Sequence, residues 1–101
     1  MKYYTCTAHF INQDKKEELI KINQETTPEE MADKLSSEKA VTLFFVIEKD
    51  SLRQIGIWKA EKPEAINEVL KPFDSFYVKK EICLCEEPIY NCELVRVESN
   101  N

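Results

Sequence analysis

The sequence predicts an α+β domain in which one antiparallel sheet carries its helices on a single face. Three observations point there. Tyr3-Tyr4-Thr5-Cys6-Thr7-Ala8-His9-Phe10 opens the chain with β-branched and aromatic residues, the composition of a strand. Thr26-Thr27-Pro28-Glu29-Glu30 carries the signals of a helix start. Two apolar runs, Ala40 to Glu48 and Leu52 to Lys59, flank the turn residues Lys49-Asp50-Ser51 and read as a hairpin.

Taken in order, the first strand ends at the turn residues Asn12-Gln13-Asp14. Lys15 to Gln24 admits two readings. Glu17, Glu18 and Lys21 suit a helix with Leu19 and Ile22 on one side, whereas Ile20 and Ile22 alternate like a returning strand. At the next segment Thr27 is the expected N-cap, Pro28 fits the first helical position, and Glu30 completes a capping box. That helix is expected to reach about Ser37, with Met31, Ala32 and Leu35 as its apolar stripe. After the hairpin, Pro63 opens a helix whose apolar face is Ala65, Ile66, Val69 and Leu70, and Pro72 marks its end. Phe76 to Cys85 and Ile89 to Val97 read as strands separated by Glu86-Glu87-Pro88. The order is βαββαβ with a C-terminal strand added, and two helices on one face of such a sheet is the ferredoxin-like arrangement. Residues 1–98 form one domain in this reading, and 99–101 are a polar tail.

Composition narrows the function. The chain of 101 residues contains one histidine, His9, and one glycine, Gly56. Nucleophile–base triads and most zinc sites call on histidine. Phosphate-cradling loops need several glycines so that backbone amides can turn inward. The net charge of −5, with Lys and Arg interspersed among Glu, disfavours nucleic acid. Strand-like residues begin almost at Met1, and the longest apolar run, Leu43 to Ile47, is too short for a bilayer. A cytoplasmic protein with no membrane partner, with free thiols at Cys6, Cys83, Cys85 and Cys92, is therefore expected.

The sheet face opposite the helices holds the interest. On the first strand Tyr4, Cys6, Ala8 and Phe10 suit the helix side, leaving Tyr3, Thr5, Thr7 and His9 on the other. On the hairpin Ile55 and Ile57 form the apolar set, which leaves Gln54, Gly56 and Trp58 on the uncovered face. Both faces of Leu43 to Ile47 are apolar, the mark of a strand buried on both sides. Tyr3, Phe44, Val46 and Trp58 would then form an apolar patch, and the expectation is a homodimer of facing sheets around a small cavity. That face would bind a small organic ligand, with Tyr3, Thr7, Phe44 and Trp58 as its walls. No cofactor and no metal is expected.

Two segments also resemble a known family. Lys15-Lys16-Glu17-Glu18-Leu19-Ile20 after an N-terminal strand resembles the first-helix opening of dimeric α+β barrel proteins. Pro63-Glu64-Ala65-Ile66-Asn67-Glu68-Val69-Leu70-Lys71-Pro72-Phe73 is similar to their second helix and its exit. Muconolactone isomerases, YCII-like proteins and small cofactor-independent antibiotic-biosynthesis monooxygenases belong to that group. The likeness is one of layout over about three-quarters of the chain. It implies a sheet-to-sheet dimer and a pocket between sheet and helices, and it carries over no catalytic residue.

Of the residues able to do chemistry, His9 is the candidate catalytic acid/base, since its unperturbed pKa lies nearest neutrality. The competing reading is a strand-end histidine bonded to a loop. Cys83 and Cys85 share a strand face, and a four-residue loop from Glu86 to Ile89 would set Cys83 opposite Cys92. That is a redox pair or a partial soft-metal site, although the spacing matches no zinc motif. Structural thiols in a sheet core account for the same residues. Gly56 marks a bulge, a close backbone approach, or relief of crowding under a large neighbour. The rival to ligand binding is a non-enzymatic acidic module that binds or inhibits another protein through a strand edge or its charged surface.

Overall fold

The computed structural model describes residues 1–86. Strand β1 (Lys2–Phe10) leads into helices α1 (Gln13–Glu25) and α2 (Pro28–Lys34). Strands β2 (Ala40–Ile47) and β3 (Arg53–Ala60) form the hairpin, followed by α3 (Pro63–Leu70), a 3-10 segment Lys71–Phe76, and β4 (Tyr77–Leu84). The four strands make one sheet in the order β2-β3-β1-β4, with every neighbouring pair antiparallel. Among the described residues no helix is long and apolar enough to cross a membrane. The expected strand Ile89 to Val97, Cys92 and the tail lie outside the described residues.

The ambiguous segment is a helix. Asn12 caps it, its side chain accepting from the Lys15 amide at 2.9 Å. Lys16, Leu19, Ile22 and Asn23 fall on its inner side at helical spacing. Lys16 hides this stripe from a sequence reading because it is charged yet only 3 % exposed. Its ammonium donates to the carbonyls of Lys49 at 2.8 Å and Ser51 at 2.6 Å, tying α1 to the hairpin turn. The Thr26 hydroxyl donates to the Ile22 carbonyl where α1 stops. Thr27 then caps α2 as expected, accepting from the Glu30 amide at 3.2 Å, while the Glu30 carboxylate accepts from the Thr27 hydroxyl at 3.1 Å rather than from its backbone N–H as a full capping box would have it. Residues 13–34 thus hold two helices, and among the described residues the sheet carries three α-helices.

Those helices cover one face. Tyr4, Cys6, Ala8 and Phe10 point inward and are each at most 5 % exposed. They pack with Leu19 of α1, Met31 of α2 and the apolar face of α3. On β3 the expected facing is reversed. Trp58 sits directly opposite Tyr4 in the register and is buried, together with Gln54 and Gly56, while Ile55 and Ile57 look outward. A Cβ built on Gly56 would lie 2.8 Å from the Trp58 indole nitrogen. The indole folds back over the glycine two residues earlier, so of the three roles considered for Gly56 it is relief of crowding that the packing requires.

β2 contains an irregularity between Thr42 and Phe44, with Leu43 as the extra residue. Before it, Ala40 and Thr42 face the helices; after it, Phe45 and Ile47 do. The bulge shifts the alternation by one and places Phe44 and Val46 outside. The apolar run is therefore not buried on both sides within one chain: Phe44 is 58 % and Val46 41 % exposed.

Candidate functional site

The face left uncovered by the helices is divided into an apolar corner and a charged end. In the corner, Phe44 pairs with Ile57 and Val46 with Ile55. On the neighbouring strand Thr5 lies opposite Ile57 and Thr7 opposite Ile55, so two short side chains occupy the middle. At the far end His9 stands between Arg53 on β3 and Lys79 on β4.

His9 Nε2 is hydrogen-bonded to Glu81 Oε1 at 2.8 Å. Because a carboxylate only accepts, Nε2 carries the hydrogen and Nδ1 is left as the basic nitrogen of the neutral ring. Lys79 Nζ approaches the same oxygen at 3.6 Å. The bond from His9, then the charge of Lys79, hold the Glu81 carboxyl below its ordinary range. Arg53 grips Glu48 through two bonds of 2.6 and 2.8 Å, which with the Ser51 hydroxyl lowers the Glu48 carboxyl to about 2. The result is a solvent-facing row of alternating charge. A His–Glu pair can take up and return a proton, yet both side chains stand in water, with His9 29 % and Glu81 49 % exposed.

Of the expected ligand walls, the structure brings Tyr3, Thr7 and Phe44 to this face, together with the candidate acid/base His9, and removes Trp58 from it. The Tyr3 ring is covered by the Lys59 ammonium 5.3 Å from its centroid. Cys83 is exposed on the same face opposite Thr5, whereas Cys6 is buried in the core and its thiol is pushed up to about 11 by desolvation. Among the described residues no three His, Cys, Asp or Glu side chains gather as a metal would need.

A second concavity lies on the other side of β2. A groove of about 350 Å³ runs between the α1–α2 junction and β2. Asn23, Met31, Leu35, Thr42 and Phe45 contribute to its walls, with Leu43 and Phe44 at its lip. Only Phe44 belongs both to the groove and to the expected ligand walls.

Sequence reasoning missed Glu81, Asn23 and the reversal at Trp58. Glu81 becomes visible only once β4 is known to flank β1, because the register then sets Thr7 opposite Glu81 and puts His9 one step away. Asn23 carried no signal beyond its helical spacing from Leu19. Comparison of the chain with protein-family models and with curated proteins finds no match in either.

Proposed function

We propose that this protein is a homodimeric binding module whose two copies pair open sheet face to open sheet face, holding a small organic molecule between them. The observation that carries this reading is the apolar corner. Phe44, Val46 and Ile57 are 58, 41 and 41 % exposed and adjoin one another across two strands, a patch that water penalises until a partner covers it. Packed sheets lie about 10 Å apart. The short side chains of Thr5 and Thr7 in the middle of the face would leave room there for a ligand, walled by Phe44 and Tyr3. In an enzymatic version of this site His9, held by Glu81, would be the acid/base group.

The finer fold assignment belongs to the same reading. Each βαβ unit is split by a strand of the other, since β3 lies between β1 and β2, and β1 between β3 and β4. This supports a ferredoxin-like sheet and, with the apolar outer face, the layout of a dimeric α+β barrel.

The rival reading, an acidic module that binds another protein through a strand edge or its charged surface, has β2 as one of the two outer strands of the described sheet. The Leu43 bulge interrupts the ladder in the middle of that edge and blunts it for strand addition. Sedimentation equilibrium over a concentration series tests the choice. A dimer is expected, and a chain that stays monomeric at about 100 μM removes the reading, because a specific interface of ordinary size associates well below that.

A further inference from the structure

We propose that the groove between the α1–α2 junction and β2 binds a small neutral molecule with an apolar body and a single hydroxyl group. This site shares Phe44 with the open sheet face, its other lining residues lie apart from that face, and it does not depend on pairing of the sheets.

The lining defines the class of ligand. A third of the residues in the chain are charged, yet every residue lining the groove is uncharged. Pro28, Met31, Ala32, Leu35 and Phe45 make its walls apolar, so an ionised ligand would lose its hydration and gain no counter-charge. The volume of about 350 Å³ is at the lower end of small-molecule sites and too small for a docked helix.

The polar groups in the lining define the ligand's handle. The three threonine hydroxyls have already spent their hydrogens. Thr26 donates to the Ile22 carbonyl, Thr42 to the Leu35 carbonyl, and Thr27 to Glu30. Asn23 is different. Its Oδ1 is buried and has no hydrogen-bond partner among the described residues, and the side chain borders both the groove and a narrow void beneath it. A buried carboxamide oxygen without a partner loses its hydration with nothing in return. Rotation about the last side-chain torsion exchanges the oxygen with the amide nitrogen, so the group can offer the groove either an acceptor or a donor. A hydroxyl answers both, because it donates and accepts.

The test uses 2-naphthol as the probe, with naphthalene and 2-naphthoate as controls, followed by amide and side-chain NMR shifts of the intact chain near neutral pH. Saturable 2-naphthol binding should move the signals of Asn23, Met31, Leu35 and Thr42. The 2-naphthoate anion should bind roughly tenfold more weakly or worse. Asn23→Leu should weaken 2-naphthol about tenfold while leaving naphthalene unchanged, since it removes the polar contact and keeps the bulk. Ala32→Trp, on the exposed side of α2, should block both neutral probes by filling the groove. No saturation below about 1 mM, equal binding of the anion, or an Asn23→Leu protein that binds 2-naphthol as before overturns the proposal. Shifts confined to Thr5, Thr7 and Ile55 would also overturn it, while leaving the reading of the open face standing.

Discussion

Truncating Phe44 to alanine is the most direct probe of the open face. Phe44 is 58 % exposed in the single chain. A phenylalanine buries roughly 200 Å² in a core, so about 115 Å² of this one remains open to water. At about 25 cal/mol per Å², covering it stabilises the pair by about 3 kcal/mol per copy. A twofold axis doubles that to about 6 kcal/mol. Lost side-chain freedom and desolvation of the neighbouring threonines offset roughly half, leaving about 3 kcal/mol, or a dissociation constant raised about a hundredfold. The fold itself should hardly notice, because more than half of the side chain is exposed within its own chain, and a change within about 1 kcal/mol is expected in urea unfolding below the dimer concentration. Sedimentation velocity of the wild type and the variant across a dilution series reads the effect. Val78→Ala is the control: Val78 is 72 % exposed but lies on β4, away from the apolar corner, and should leave association unchanged. A Phe44→Ala protein that dimerises like the wild type, or a Val78→Ala protein that loses as much, refutes the placement of the interface.

Three further outcomes follow from the packing. Gly56→Ala should destabilise the fold by about 1–3 kcal/mol in urea melts, since its Cβ meets a buried indole at 2.8 Å; a loss under about 0.5 kcal/mol would mean that Trp58 repacks freely. Lys16→Met should cost about 2 kcal/mol, because the carbonyls of Lys49 and Ser51 lose an ammonium donor while the apolar stem is kept, and hydrogen exchange should quicken in the β2–β3 turn; unaltered turn protection would show that the lysine is incidental. The pH profile should fall at both ends. Glu48 titrates at about 2 against an ordinary 4.5, so its contribution is present above 4.5 and lost as the pH drops through about 2. Cys6 and Tyr77 are raised by burial from 9.0 to about 11 and from 10.0 to about 12, so the native state holds its protons longer and stability declines as the pH climbs through that range. A flat alkaline limb to about pH 12, or rapid modification of Cys6 by a thiol reagent in the native protein, would contradict this.

The legible parts of the chain were those where one local signal acts alone. Thr27, Pro28 and Glu30 set a helix start by side-chain chemistry that needs no tertiary partner, and the alternation Tyr4, Cys6, Ala8, Phe10 gave the inner face of β1 directly. The errors arose where tertiary contacts decide. At β3 both alternating sets contain large apolar residues, so hydropathy does not say which is inside. The decision rests on Gly56 making room for the Trp58 indole, and on Tyr4 standing opposite it. In β2 a single inserted residue reverses the facing of all that follows, and no turn residue in Thr42-Leu43-Phe44 announces it. Lys16 concealed the inner stripe of α1 because its charge is satisfied by carbonyls 33 and 35 residues away. For the candidate sites the same holds. His9 was visible as the only histidine, but its partner Glu81 is 72 residues away and met only through strand pairing.

The Leu43 bulge has a consequence for telling the two proposed surfaces apart. By shifting the alternation it places Phe44 on the outer face, where it pairs with Ile57, and at the lip of the groove. Phe44→Ala should therefore weaken both sheet pairing and 2-naphthol binding, and by itself distinguishes nothing. Val46 is outer but does not line the groove, and Ala32 lines the groove from α2, away from the sheet. Val46→Ala should loosen the dimer, by less than Phe44→Ala because about 60 Å² of a smaller side chain is at stake, on the order of 1 kcal/mol after the same offsets. Its affinity for 2-naphthol should stay that of the wild type. Ala32→Trp should do the reverse, blocking the probe and leaving the sedimentation profile intact. If either single variant abolished both properties, the groove and the open face would be one cooperative site, and the division of labour drawn from the bulge would be wrong.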